Sequence, residues 1–182
     1  MAPVEVFFGA LLVIFMLIGL VRGFLKELGV ATVMTLTLFF LTQFQKPLET
    51  GLSKAASVLG AEKGDLILCW VYLATIAIMA FISYEGETLG FGGRVMVGAQ
   101  RVILGAVMGL FNGYLIAGAI WYYLDRYAYP ITWLGFSADK LSATAKSLLP
   151  FLPNTFLGQP LFMGQSILLF LSMFLIIARV IR

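Results

Sequence analysis

The chain has no histidine and a single cysteine, and only 12% of its 182 residues are charged. Without histidine it lacks the commonest ligand of zinc, haem iron and copper, and the commonest general base near neutral pH. No metal or cofactor is therefore expected, and no residue is assigned a catalytic role. Cys69, standing alone, excludes an intrachain disulfide and a Cys-x-x-Cys knuckle, and is expected to be a buried span residue. A long cationic tail is lacking as well. The 12 basic and 9 acidic residues leave a formal charge of +3 scattered through short connections, so no nucleic-acid partner is expected.

Apolar residues are what the chain has in abundance. They make up 61% of it, with a mean hydropathy of +1.00, against soluble norms of roughly 45–50% apolar and 25% charged residues. This composition predicts an integral membrane protein: an all-α, multi-pass transmembrane bundle forming one membrane domain over residues 1–182. Five spans are expected, at residues 4–21, 28–44, 66–84, 102–124 and 161–178. Residues 1–21 have no basic n-region and no Ala-x-Ala site before Arg22, and read as a retained span rather than a signal peptide.

Residues 22–27 bring Arg22, Lys26 and Glu27 between the first two spans. Each would cost several kcal/mol at the bilayer centre, so a hairpin at head-group level is predicted, eased by Gly23 and Gly29. Thr32, Thr35 and Thr42 share a narrow arc of the second span, suited either to bonds between helices or to bonds back onto their own helix. Two short amphipathic interfacial helices are expected. One covers residues 47–59, with Leu48, Leu52, Ala55, Ala56 and Leu59 at helical spacing; the other covers residues 137–149, with Ser137 as N-cap. Trp70, Tyr72, Tyr84 and the cluster Trp121-Tyr122-Tyr123 read as interface anchors. The glycine-rich stretch 85–98 has neither the preceding strand nor the Gly-Lys-Ser/Thr ending of a phosphate loop, and reads as a connector or a re-entrant element.

Gly105, Gly109, Gly113 and Ala117 fall four residues apart in the fourth span, hence on one helical face. Small residues so placed let a second helix approach to backbone contact, the principal mode of helix recognition in lipid. If that helix extends back to Arg94, then Arg94, Gly98, Arg101, Gly105 and Asn112 lie in a stripe about 60° wide. Together with Arg22 and Lys26, these cations and Asn112 are candidate contacts for a lipid phosphate or a partner protein. Ser137 with Lys140, and Ser142 with Lys146, have the spacing of Ser-Lys nucleophile pairs, but a loop rich in Ser, Ala and Lys produces such pairs readily. No ionisable residue falls at the middle of the last three expected spans, which argues against a charge-relay transporter.

Lysine and arginine divide six to six between the two faces. Arg22, Lys26, Arg94, Arg101, Arg179 and Arg182 sit on the shorter segments against span ends, which places them in the cytoplasm, the N-terminus outside and the C-terminus inside.

The run Arg22-Gly23-Phe24-Leu25-Lys26-Glu27-Leu28 after a first span resembles the Arg-Gly-Phe, basic, Glu turn of the colicin V production (CvpA) family of bacterial membrane proteins. Arg101, Leu104-Gly105, Gly109 and Gly113-Tyr114-Leu115-Ile116 resemble that family's late motif, and the likeness covers roughly residues 4–124. Three features depart from it. Arg101 stands four residues before Gly105 where three is usual, Asn112 replaces an Arg or Lys, and the expected fifth span has no counterpart. The resemblance implies a bacterial inner-membrane protein connected with toxin export or envelope homeostasis. Combined with the composition, it leads to the expectation of a non-enzymatic protein whose partners are membrane lipids, other membrane subunits or further copies of itself. An accessory subunit of a respiratory or photosynthetic complex is the alternative, and a small channel or lipid transporter a third.

Overall fold

The computed structural model describes residues 3–58, 64–85, 91 and 98–180. It is an all-α bundle in which four helices have the length and apolar character to cross a membrane: α1 (Val4–Arg22), α2 (Phe24–Gln43), α4 (Gly64–Glu85) and α5 (Ala99–Arg126). Between the second and third of these lies α3 (Gln45–Val58), in the place expected of an interfacial helix. After α5 come α6 (Ala143–Leu148), α7 (Pro153–Phe156), a two-stranded hairpin of β1 (Pro160–Phe162) and β2 (Gln165–Ser166), and α8 (Ile167–Val180).

The fifth expected span is corrected by this ending. Residues 161–166 turn back as an antiparallel hairpin, with Met163 and Gly164 at positive φ, and α8 has only 14 residues. At 1.5 Å per residue it rises about 21 Å, short of a hydrocarbon core of roughly 30 Å. The second interfacial helix is corrected too. Ser137 caps nothing; Ser142 is the N-cap, its Oγ accepting from the Ala145 amide at 2.9 Å, and the helix it starts is six residues long.

The turn between α1 and α2 is a single residue. Gly23 ends one helix and begins the next at φ 84° and ψ 163°, and its amide donates to the Gly19 carbonyl at 2.9 Å. A side chain is strained at that φ, so glycine is required there. Lys26 and Glu27 consequently fall in the first turns of α2 rather than in a loop, and the expected head-group hairpin contracts to Gly23.

α5 is the centre of the bundle, packing on α1, α2, α4 and α7. Its closest neighbour is α1, which runs antiparallel along the glycine ladder. A Cβ on Gly105 would lie 2.5 Å from the Gly19 carbonyl oxygen, and one on Gly109 would collide with the Phe15 carbonyl oxygen and stand 2.9 Å from Gly19 Cα. Gly113 meets Phe15 Cβ and Leu12 Cα at 2.8 and 3.3 Å. The ladder is therefore answered on α1 by Gly19, whose own Cβ would strike Gly105 and Gly109. On the opposite side of α5 the core is formed by Met34, Leu38, Tyr72, Ile76, Leu115, Tyr123 and Leu168. Tyr72 stacks on Tyr123 with ring centroids 4.2 Å apart, so Tyr72 is a core residue and not the interface anchor expected of it. Cys69 is buried beneath the Tyr123 carbonyl, as expected.

Because both backbones are in contact, adding one methyl group to the seam forces the helices apart. Gly109→Ala and Gly19→Ala are each expected to destabilise the protein by about 1–3 kcal/mol, the usual cost of overpacking. Gly9→Ala, with nothing within 4 Å of the added carbon, is expected to be neutral. Thermal unfolding of the three variants in the same detergent measures the contrast.

Candidate functional site

At the Gly23 end of the seam a carboxylate lies inside the bundle. Glu27 is fully buried, one turn into α2, and is held by residues from α1, α4 and α5. Its Oε2 accepts from Asn112 Nδ2 at 2.7 Å and from the Tyr84 hydroxyl at 3.0 Å, and Asn112 Nδ2 also donates to the Glu27 carbonyl at 2.9 Å. Arg22 Nε lies 3.0 Å from Glu27 Oε1. The latter is a charge contact without hydrogen-bond alignment, since neither atom has a hydrogen-bond partner among the described residues. Arg22 donates instead through Nη1 to the Tyr84 carbonyl at 2.7 Å, and its guanidinium lies 4.7 Å from the centre of the Tyr84 ring.

This knot gives Asn112 and Tyr84 roles that differ from those expected. Asn112 faces inward and ties α5 to α2, so it is not part of a stripe open to lipid. Tyr84 is a ligand of Glu27 rather than a free interface anchor. The backward extension of α5 fails at Gly98, whose φ of 69° and ψ of −148° are not helical; α5 starts at Ala99, and Arg94 lies outside the described residues. Two of the four threonines bond back to their own helix. Thr32 and Thr37 donate to the carbonyls of Leu28 and Val33, Thr42 receives Asn154 Nδ2 at 3.5 Å, and Thr35 is buried without a partner among the described residues.

Above the knot is a groove of about 400 Å³ lined by Val21, Arg22, Gly23, Leu25, Lys26 and Arg101. Lys26 and Arg101 are exposed, and Arg101 passes 3.5 Å from where a Gly23 Cβ would stand. The groove thus brings three of the expected cationic residues to one wall. The carboxylate nearest to them in sequence, Glu27, is turned inward.

The far end of the bundle is fastened separately. Arg126 Nε and the Tyr127 hydroxyl donate to Glu49 Oε1 at 3.0 and 2.9 Å, joining α3 to the end of α5. Ser142 donates to Glu5, joining the start of α1 to the chain after α5, and its Oγ also accepts from the Ala145 amide. Trp121 and Tyr123, expected in an interfacial belt, are buried; Trp121 Nε1 donates to the Tyr129 hydroxyl at 2.9 Å. Among the described residues no group of three or more His, Cys, Asp or Glu could hold a metal ion.

Comparison of the chain with protein-family models, with curated proteins and with solved structures found no match.

Two outcomes follow from these contacts. Removing Arg22 leaves the buried Glu27 carboxylate without its counter-charge, so Arg22→Leu is expected to cost about 3–5 kcal/mol; Glu27→Leu, which leaves a partly exposed arginine, is expected to cost less, and the double variant less than their sum. A double-mutant cycle by denaturant unfolding checks it. For Glu49, burial raises the pKa, but donation from Arg126, Gln45 and Tyr127 outweighs it and holds the carboxyl below its ordinary value of 4.5. Its contribution is therefore present above the ordinary carboxylate range and lost as pH falls through the lowered value. Glu49→Gln is expected to flatten that acid-side loss, read as the dependence of Tm on pH between 6 and roughly 3.

Proposed function

We propose that the chain is a non-enzymatic inner-membrane protein similar to the CvpA family, acting through close helix packing and through contacts with lipids and partner proteins. The observation that carries this reading is the groove at Arg22, Lys26 and Arg101, which stands directly over the glycine seam. Guanidinium and ammonium groups flanked by Val21, Phe24 and Leu25 suit an anionic lipid, with phosphate on the cations and acyl carbon against the apolar wall. The same three cations lie against helix ends, the position with the strongest positive-inside bias, which supports a cytoplasmic location for this end.

In that orientation the N-terminus is outside, together with Glu49, Arg126 and Ser142. α8 begins where Leu168 donates to the Leu157 carbonyl, beside Gly158 and Thr42, and lies along α2. Its last turn, carrying Arg179, then points back toward the cytoplasmic end. One observation favours a second reading, an accessory subunit of a larger membrane complex: α8 is too short to span and exposes Met173, Phe174 and Ile177 along one side. A partner helix would cover that side.

Purification in mild detergent tests the two. A monomer or small homo-oligomer that retains anionic phospholipid is expected, and Lys26→Gln with Arg101→Gln should weaken that retention by about 1 kcal/mol per cation removed. Undiminished retention in the double variant overturns the groove. Stoichiometric foreign subunits would establish the second reading instead.

A further inference from the structure

At Ala117, the fourth rung of the ladder, the seam opens. Ala117 is buried but lines an apolar cavity of about 420 Å³, open on one side, with Phe8 and Leu11 of α1, Leu73 of α4, Ile120 and Trp121 of α5, and Leu134 and Phe136 in its walls. α1 rests on α5 and leaves this cleft between itself and α4.

A second cavity of about 300 Å³ adjoins it, sharing Val4 and Phe136. This one is polar. Glu5, Ser137, Lys140 and Ser142 line it. Lys140 is exposed at its edge, while Glu5 Oε2 is buried and has no hydrogen-bond partner among the described residues, its other oxygen being taken by Ser142. A buried carboxylate oxygen left unpaired costs free energy until a donor reaches it. An apolar chamber beside a site that offers one ammonium and one unfilled carboxylate oxygen is complementary to a particular kind of amphiphile. Its chain must be apolar, and its head must carry a negative group for Lys140 and a positive hydrogen-bond donor for Glu5. A cavity of this size falls within the range of ligand sites, about 300–1,000 Å³.

We infer that the cleft between α1 and α4 binds one phospholipid with a zwitterionic, primary-ammonium head, an acyl chain lying in the chamber and the head group bridging Lys140 and Glu5. The site lies at the end of the bundle opposite the Arg22 groove, and its head-group preference differs from that of the groove. Binding at the two is therefore separable.

Native mass spectrometry of protein released from mixed vesicles of phosphatidylethanolamine and phosphatidylglycerol, in equal amounts and with matched chains, tests it. One phosphatidylethanolamine is expected to remain after the phosphatidylglycerol of the Arg22 groove has been removed by high salt. Lys140→Gln and Glu5→Gln, each deleting one head-group partner, should weaken its retention roughly tenfold. Leu11→Trp, filling the chamber from the half-exposed face of α1, should abolish it, with circular dichroism and Tm confirming that the variant is folded. Lys26→Gln with Arg101→Gln should leave it unchanged, so loss of the cytoplasmic groove does not mimic loss of this site. Equal retention of the two lipids by the wild type after the salt wash, retention unaffected by Leu11→Trp in folded protein, or a protein helix crosslinked into the cleft in place of lipid would each overturn the inference.

Discussion

Backbone contact between α1 and α5 is the constraint from which the rest of this architecture follows. α1 is strongly apolar and largely exposed, with only Val4 and Gly19 fully buried, and it packs principally on α5. Lipid is as apolar as the leucines and phenylalanines of α1, so burying them gains little. What distinguishes the docked helix from one adrift in the bilayer is the dispersion and weak C–H···O contact available when Gly19, Gly105 and Gly109 bring two backbones together. Side chains on either face would hold the axes farther apart and forfeit most of it.

The polar knot depends on that proximity and in turn fixes it. Arg22 is the last residue of α1 and Glu27 lies in the first turns of α2, so a one-residue turn at Gly23 keeps both charges within reach of each other only while α1 stays against α5. A carboxylate withdrawn from water inside a membrane bundle is sustained by the donors around it. Here the donors are Tyr84 from α4 and Asn112 from α5, and Arg22 across the turn supplies the opposite charge. Four helices thus converge on one side chain. Helix pairs that are slippery in purely apolar packing acquire a register, because a shift of one turn would strand the carboxylate.

Both features could be sought in the sequence, with unequal success. The glycine ladder was legible because four-residue spacing is local information, and the structure places Gly105, Gly109 and Gly113 against α1. Its complement on α1 was not, since Gly19 is a lone glycine among larger residues and only the antiparallel register selects it. The boundaries of the first, third and fourth spans came out within three residues, composition and length being sufficient there. Glu27 misled for a physical reason. Desolvation cost argues that a charge between spans belongs at the head groups, and the argument fails when Asn112, 85 residues away, supplies a donor that no local pattern announces. The fifth span failed differently: residues 161–178 are uncharged and mostly apolar, yet Gly164 takes a positive φ and reverses the chain before the helix starts. Hydropathy counts such residues and is blind to the turn.

The length of the seam also decides where α1 ceases to fit. Three glycines permit contact from Gly105 to Gly113, and the next rung is alanine. On α1 the residues that would meet it are Phe8 and Leu11, so the interface passes from backbone against backbone to side chain against side chain within one helical turn. Beyond that rung the bulky residues of α1 line a cleft instead of meeting the α5 backbone. The cleft toward α4 is thus the geometric complement of the seam. Tight docking at the Gly23 end and an open chamber at the Val4 end arise from the same ladder ending at Ala117.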